Sequence, residues 1–170
     1  MSEEKRFYTI SAYTDNTPGV LHRVVTTFTR RKINIESLTV SETSEPGLSV
    51  FTITSLIEPK YIDTIVKQIE RIVEVRKAFY SPDRDLIFKE VGLIRVSLKN
   101  DNNLKQIEEA ISRHNALVVY VDETSAIIQT LGSEDESKVV LKLLESFGVL
   151  QFIRSGRIAL RKKYQSIYQN

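Results

Sequence analysis

One segment of this sequence, Tyr13–Val40, has residue types and spacing that make a concrete chemical proposal. From Thr14 it reads T-D-N-T-P-G-V-L-H-R-V-V, and from Asn34 it reads N-I-E-S-L-T-V. An apolar strand runs into a polar Asn-Thr-Pro-Gly loop, and that loop opens an amphipathic helix. A helix start leaves several backbone N–H groups without partners and carries the positive end of the helix dipole. It is a ready cradle for a small anion such as a carboxylate. Spacing alone also allows a plainer reading, in which Asn16 and Gly19 shape a turn and Asn34 marks a loop-to-strand boundary. Covalent chemistry finds little support elsewhere. Glu108-Glu109 and Asp135-Glu136 fall on helix surfaces with no nucleophile or metal ligand in register. No Walker loop and no GxGxxG string occurs.

Composition narrows the classes further. The chain has 170 residues, enough for one medium domain or two small ones, and 41% are hydrophobic, so a real core is expected. Lys plus Arg number 24 against 22 acidic residues, a net charge of +2 that argues against a dedicated nucleic-acid binder. With no Cys, a disulfide scaffold, a thiolate nucleophile and Cys-ligated zinc are excluded. Only two His are present, which makes a His-based metal site improbable. The charged start M-S-E-E-K-R is unlike a signal peptide, and no apolar run reaches spanning length. A cytoplasmic location is the expectation.

The elements that would hold the loop form one pattern written twice. Phe7–Tyr13 alternates like a strand, with Phe7, Thr9, Ser11 and Tyr13 set against Tyr8, Ile10 and Ala12. Pro18 suits a first helical turn, and Val20, Leu21, Val24, Val25 and Phe28 give one buried helical face. Arg30-Arg31-Lys32 ends that helix. Asn34–Val40 and Leu48–Leu56 read as strands joined by the hairpin loop S-E-T-S-E-P-G. Pro59 opens a second helix, with Ile62, Ile65, Val66, Ile69 and Ile72 on one face, and Val73–Tyr80 returns as a strand.

After the turn-rich stretch Ser81-Pro82-Asp83-Arg84-Asp85 the order repeats. Val91–Leu98 is a strand. Asp101-Asn102-Asn103 offers caps for a helix carrying Leu104, Ile107 and Ile111. Leu117–Val121 and Ala126–Leu131 form a hairpin. Ser133-x-x-Glu136 is a capping box for a helix that Gly148 closes. Val149–Ile153 and Ile158–Leu160 are further strands, and Lys162–Asn170 has no clear periodicity. The prediction is an α+β chain of two ferredoxin-like βαββαβ sandwiches. Each sheet has helices on one side only. The other face therefore invites a partner sheet, the other half of the chain or a second copy, and a homodimer is expected.

At these residues the chain resembles the acetolactate synthase (acetohydroxyacid synthase) small regulatory subunit family. N-T-P-G-V-L-H-R-V with N-I-E-S-L-T-V downstream is similar to that family's amino-terminal ACT domain, and Pro46–Ser49 agrees with it. The likeness continues more faintly at Val91–Val96 and Arg154–Arg161. It implies residues 1–80 as an ACT domain for effector binding and dimerisation, 81–89 as a linker and 90–170 as a carboxy-terminal ferredoxin-like domain. It also implies a non-catalytic partner of the acetolactate synthase large subunit, which activates that subunit and confers feedback inhibition by a branched-chain amino acid, above all valine. Thiamine diphosphate, FAD and magnesium would belong to the catalytic partner, so this chain is expected to carry no cofactor, metal or catalytic residue.

By the same resemblance, the carboxylate of a free amino acid meets the N–H groups of Gly19, Val20 and Leu21, and Asn16 accepts from its ammonium group. Asn34 and Ile35 of a neighbouring chain close the pocket. Two departures stand out. His22 replaces a small or polar residue. Lys32 replaces a common Gly, and since Lys does not take a positive φ cheaply a different turn is expected there. The basic end Arg154, Arg157, Arg161, Lys162 and Lys163 reads as a solvated face, with docking of the large subunit as a minority reading. Competing functions are a stand-alone amino-acid-sensing ACT regulator of another pathway, an RNA-binding module using Phe51, and a small acylphosphatase-like enzyme.

Overall fold

The computed structural model describes residues 4–98 and 102–163. Asp101, offered above as a helix cap, and the tail beyond Lys163 lie outside the described residues. Contacts divide the chain into two compact units: residues up to Ile87 together with the segment from Arg157, and Phe88–Gly156.

In the first unit, β1 (Arg6–Asp15), α1 (Val20–Thr29), β2 (Ser37–Glu42), β3 (Leu48–Ile57), α2 (Pro59–Glu70) and β4 (Val75–Ser81) follow in βαββαβ order. The antiparallel sheet has the strand order β2-β3-β1-β4. Alternation along β1 sends Ile10 and Ala12 to the helix side, where Phe51, Ile53, Val24, Phe28, Ile65 and Ile69 complete the core. Phe51 is fully buried there. It is therefore unavailable for stacking on a base, and the RNA-binding reading loses its aromatic.

The second unit repeats the plan with β5 (Leu86–Ser97), α3 (Asn102–Ile111), β6 (Ala116–Val121), β7 (Ser125–Gly132), α4 (Glu134–Leu144) and β8 (Val149–Arg154). Its strand order, β6-β7-β5-β8, matches that of the first sheet. Its core is Ile94, Val96, Ile107, Ile111, Ala126, Ile128, Val140 and Leu144. Gly148 ends the α4 region at φ +88, after a single 3₁₀ turn, as its place after the apolar stripe suggests. Two ferredoxin-like sandwiches are thus present.

Two expectations need correction. The first concerns the basic carboxy-terminal end, which the sequence read as a solvated face. The chain from Arg157, including β9 (Ile158–Arg161), instead packs with the first unit. The cause lies in the first sheet's outer face, which carries the hydroxyls of Thr9, Ser11, Thr39, Thr52 and Thr54. Arg157 donates to Thr9 Oγ1 at 3.1 Å and to Asp83 Oδ1 at 3.0 Å, while its carbonyl accepts from Thr39 Oγ1 at 2.8 Å. Arg161 donates to Ser81 Oγ and to the Tyr80 carbonyl, and its guanidinium lies 3.8 Å from the Phe79 ring centre. Burial holds the Arg161 pKa below the ordinary arginine value. Arg154, still in the second unit, is paired with Glu134 at 2.6 Å and Glu90 at 3.2 Å. These cations are structural ties.

The second correction is at Lys32. It does adopt a left-handed φ of +54, at a cost of roughly 1–2 kcal/mol for a residue with a Cβ. The turn that ends α1 compensates. Ile33 N–H reaches back to the Phe28 carbonyl at 3.1 Å and Lys32 N–H to that of Thr29 at 3.0 Å, and Ile33 packs on the core. Satisfied terminal carbonyls plus a hydrophobic contact are what favour this cap conformation.

Candidate functional site

The first loop is built by what surrounds it. Asp15 ends β1 opposite Leu48, which begins β3. Asn16 N–H donates to the Gly47 carbonyl at 2.8 Å, and Thr17 N–H to the Asp15 carbonyl at 2.9 Å. Arg76 on β4 clasps both sides of this junction, with Asp15 at 2.7 Å and Glu45 at 2.9 Å. Those two carboxylates hold the Arg76 pKa above its ordinary value. Gly47 N–H donates to Glu42 Oε1 at 2.8 Å, which fixes the hairpin loop that the Asn16 loop leans on.

At the helix start Gly19 is the N-cap, with φ 86 and ψ −11. Only glycine takes this conformation without strain. No side chain caps the helix, and its first turn contains no acidic residue. Val20 N–H makes a long 3.5 Å contact to the Thr17 carbonyl. Among the described residues, the N–H groups of Gly19, Leu21 and His22 make no hydrogen bond within the chain. The result is an exposed, electropositive helix end with donors to spare.

The six sequence-predicted residues divide by what each can offer. Asn16 is exposed, and its side chain makes no hydrogen bond among the described residues. The Val20 side chain is buried in the core, so only its N–H faces the loop. Leu21 is 42% exposed and presents an aliphatic surface beside the helix start. Asn34 is exposed, and its side-chain amide donates to Glu36 Oε1 at 2.8 Å. Ile35 is half-buried against the first core.

The structure brings Asn16, Gly19, Val20 and Leu21 together but leaves Asn34 and Ile35 apart from them. The Asn34 carbonyl accepts from the Ser55 hydroxyl, whereas Asn16 is tied to Gly47 beside Leu48. Leu48 and Ser55 lie seven positions apart along β3, or about 23 Å at ~3.3 Å per residue. One chain cannot close both groups on one amino acid. Asn34 lines a separate groove of about 600 Å³ with Arg30, Arg31, Lys32 and Tyr61.

Sequence reasoning passed over Arg23. Its guanidinium pairs with Glu74, and its Nη1 lies 3.8 Å from where a Cβ on Gly19 would sit. A fixed cation thus stands at the lip of the cradle. The signal was available as a cation one helical turn past Gly19, but its acidic partner is 51 residues away in sequence, beyond any local pattern. Thr14 was also missed. Its Oγ1 is buried at the base of the loop with no hydrogen-bond partner among the described residues.

The first unit is a ferredoxin-like βαββαβ module of the ACT type. The comparisons agree. The model described as AHAS small subunit-like ACT domain matches residues 10–77, and the one described as small subunit of acetolactate synthase matches residues 89–163. The acetolactate synthase small subunit of Mycolicibacterium smegmatis is 30% identical over 95% of this chain and 95% of its own length. The probable acetolactate synthase small subunit of Archaeoglobus fulgidus is 33% identical over 90% of this chain and 95% of its own. The crystal structure of the Thermotoga maritima acetolactate synthase small subunit superposes with a TM-score of 0.84 at 30% identity, covering 94% of this chain and 99% of that one. The chain belongs to the acetolactate synthase small-subunit family. Its class is that of a regulatory subunit with an ACT domain, which implies a catalytic large subunit as partner. Among the described residues no helix is long and apolar enough to cross a membrane.

Proposed function

We propose that this chain activates an acetolactate synthase large subunit and makes it sensitive to feedback by a branched-chain amino acid, with valine the first candidate. The observation that carries the reading is the α1 start: a left-handed glycine, free N–H groups, no acidic residue in the first turn and Arg23 alongside. That set suits the carboxylate of an amino acid. Asn16 accepts from the ammonium group, and Leu21 offers aliphatic contact.

The site is completed by a second copy. β2 is an edge strand, and Asn34 and Ile35 lead into it. Antiparallel pairing of β2 with its copy reverses direction across the two-fold axis. It therefore sets Asn34 of the partner beside the 43–47 loop, whose Gly47 holds Asn16. The effector then lies at a homodimer seam and biases how the two copies pack, as a coupling of roughly 1–3 kcal/mol requires. Loop separation supports this arrangement, because about 23 Å divides the two halves of the site in one chain.

A melting experiment with valine, leucine and isoleucine tests it. Saturation at about 100 times Kd is worth ~2.7 kcal/mol, so a clear rise in Tm is expected with one of them. Asn16→Ala is expected to remove that rise and the effector sensitivity of the assembled enzyme while leaving activation intact. A variant that keeps full sensitivity rules Asn16 out, and no rise with any of the three amino acids at millimolar levels removes the site. A stand-alone ACT regulator is distinguished by its failure to co-purify with, or activate, a large subunit.

A further inference from the structure

A second feature of the first unit lies on its helix face, starting at His22 and Arg23 beside the effector loop and running away from it. Between α1 and α2 runs an open groove of about 710 Å³ lined by His22, Arg23, Arg30, Arg31 and Arg71; among the described residues Ile72 is its one aliphatic wall and no carboxylate lines it. The sequence sets this up by helical spacing. Arg23 and Arg30 fall on one side of α1, and Gln68 and Arg71, three residues apart, answer them from α2. A chain of net charge +2 has thus gathered four guanidinium groups in one trough. Arg23 is held by Glu74, and Arg31 Nε donates to Gln68 Oε1 at 3.2 Å. The exposed side chains of Arg30 and Arg71 hold no ion pair among the described residues. Like charges this close repel one another, a cost that an acidic occupant would reverse.

We propose that this groove docks a carboxylate-rich segment of the catalytic large subunit. The proposal rests on the reading of the chain as that enzyme's regulatory partner. Shape and chemistry select the occupant. From Arg23 to Arg30 the cations extend about 10 Å along the helix axis, at ~1.5 Å per residue, a spread suited to acidic residues repeated along a protein segment. Ile72, the one aliphatic residue among the described lining, leaves little for an apolar anchor to pack on. Guanidinium groups recognise carboxylates bidentately, so the contact is directional as well as electrostatic. A surface of this kind governs association rate and salt dependence more than burial does.

The test is the affinity of the full-length chain for its large subunit, at about 50 mM and about 300 mM salt, a range over which surface charges become strongly screened. Wild-type binding is expected to weaken steeply with salt. Arg30→Glu combined with Arg71→Glu is expected to weaken low-salt binding roughly tenfold or more and to flatten the salt dependence. Arg30→Gln with Arg71→Gln should fall between, and the two Lys replacements should bind nearly as wild type. The effector-induced rise in Tm should persist in Arg71→Glu alone, which leaves Arg30 beside Asn34 unchanged, showing that the fold and the first site are intact. Reversal variants that bind as tightly as wild type, with the same salt slope, overturn the docking surface while leaving the regulatory reading standing. If inorganic tripolyphosphate stabilises the wild-type chain through Arg30 and Arg71 while assembly ignores their reversal, the groove is a small-anion site and the proposal is wrong. A wild-type chain that binds no large subunit in any salt removes the regulatory reading and this inference together.

Discussion

Two of the helix starts that follow a strand, those of α1 and α4, are finished in opposite ways. At α4 the chain closes its own end. Ser133 Oγ accepts from Glu136 N–H at 3.2 Å, and Glu136 Oε2 accepts from Ser133 N–H at 2.6 Å. Glu134, Asp135 and Glu136 add negative charge to the first turn. At α1 no side chain caps the helix and no acid sits in the first turn. A capping box satisfies the end donors locally and leaves less for a ligand. An end left open gives up about 0.5–2 kcal/mol of capping stability but keeps its donors for something else. α1 and α4 hold different places in the repeat, and α2, the counterpart of α4 in the first unit, also lacks a side-chain cap, so the contrast is one of loop chemistry at two helix starts.

The sharpest way to break the contrast is at Gly19. Its φ of 86 lies where a Cβ is strained, so Gly19→Ala should destabilise the first unit by roughly 1–2 kcal/mol. The added methyl also stands over the donors beside Arg23. The effector-induced rise in Tm should therefore shrink by more than the loss of stability explains. Denaturant melts with and without effector separate the two effects. A variant with full stability and full response shows that the open end is not used.

At the closed end, Ser133→Ala should cost about 1 kcal/mol and leave effector response untouched, read from the same two measurements. A change in effector response there would mean that the two units are coupled through the capped helix, and the contrast between a structural and a functional helix start would fail.

How far the sequence foretells this contrast differs between the two ends. The capping box, the helical stripes and both hairpins are local patterns, and they are legible because period and cap chemistry act within a few residues. Element ends drift by up to five residues: β2 starts at Ser37 and not Asn34, and β5 starts at Leu86 and not Val91, inside the stretch 81–89 expected to be a linker. β1 runs on to Asp15, because pairing with Leu48 extends it past its alternating core. The open end is legible as a Pro-Gly loop before an apolar stripe, but its surroundings are not. Arg23–Glu74 and Arg76 with Asp15 and Glu45 are long-range ion pairs, which no local window contains. The return of Arg157 to Thr9, 148 residues away, escaped for the same reason. A run of arginines reads as solvated until the hydroxyl face that receives it is known. Lys32 shows the converse, since a local rule against positive φ yielded to a tertiary turn.

The smallest expected effect tests acid stability in the second unit. Asp122 accepts from the N–H and hydroxyl of Thr124 and from the N–H of Ser125, at 2.8 to 2.9 Å. The Thr124 bonds come first among the causes that pull its pKa down to about 2. Glu134 is also lowered, chiefly by Lys138 and then Arg154, and Glu136 is lowered by the Ser133 N–H. A carboxyl whose folded pKa lies below its unfolded value stabilises the fold above the unfolded pKa, and that contribution is lost as pH falls toward the folded pKa. For Asp122 the window runs from about 4, the ordinary aspartate value, down to about 2. Asp122→Asn removes the titrating group, so its stability should fall less steeply than wild type between those pH values, while its neutral-pH stability drops because the turn loses its charged acceptor. Solvent exposure keeps the effect small. Urea midpoints at several pH values measure it. A variant whose acid limb is parallel to that of wild type would show that the turn around Asp122 is held by its backbone geometry and not by the carboxylate.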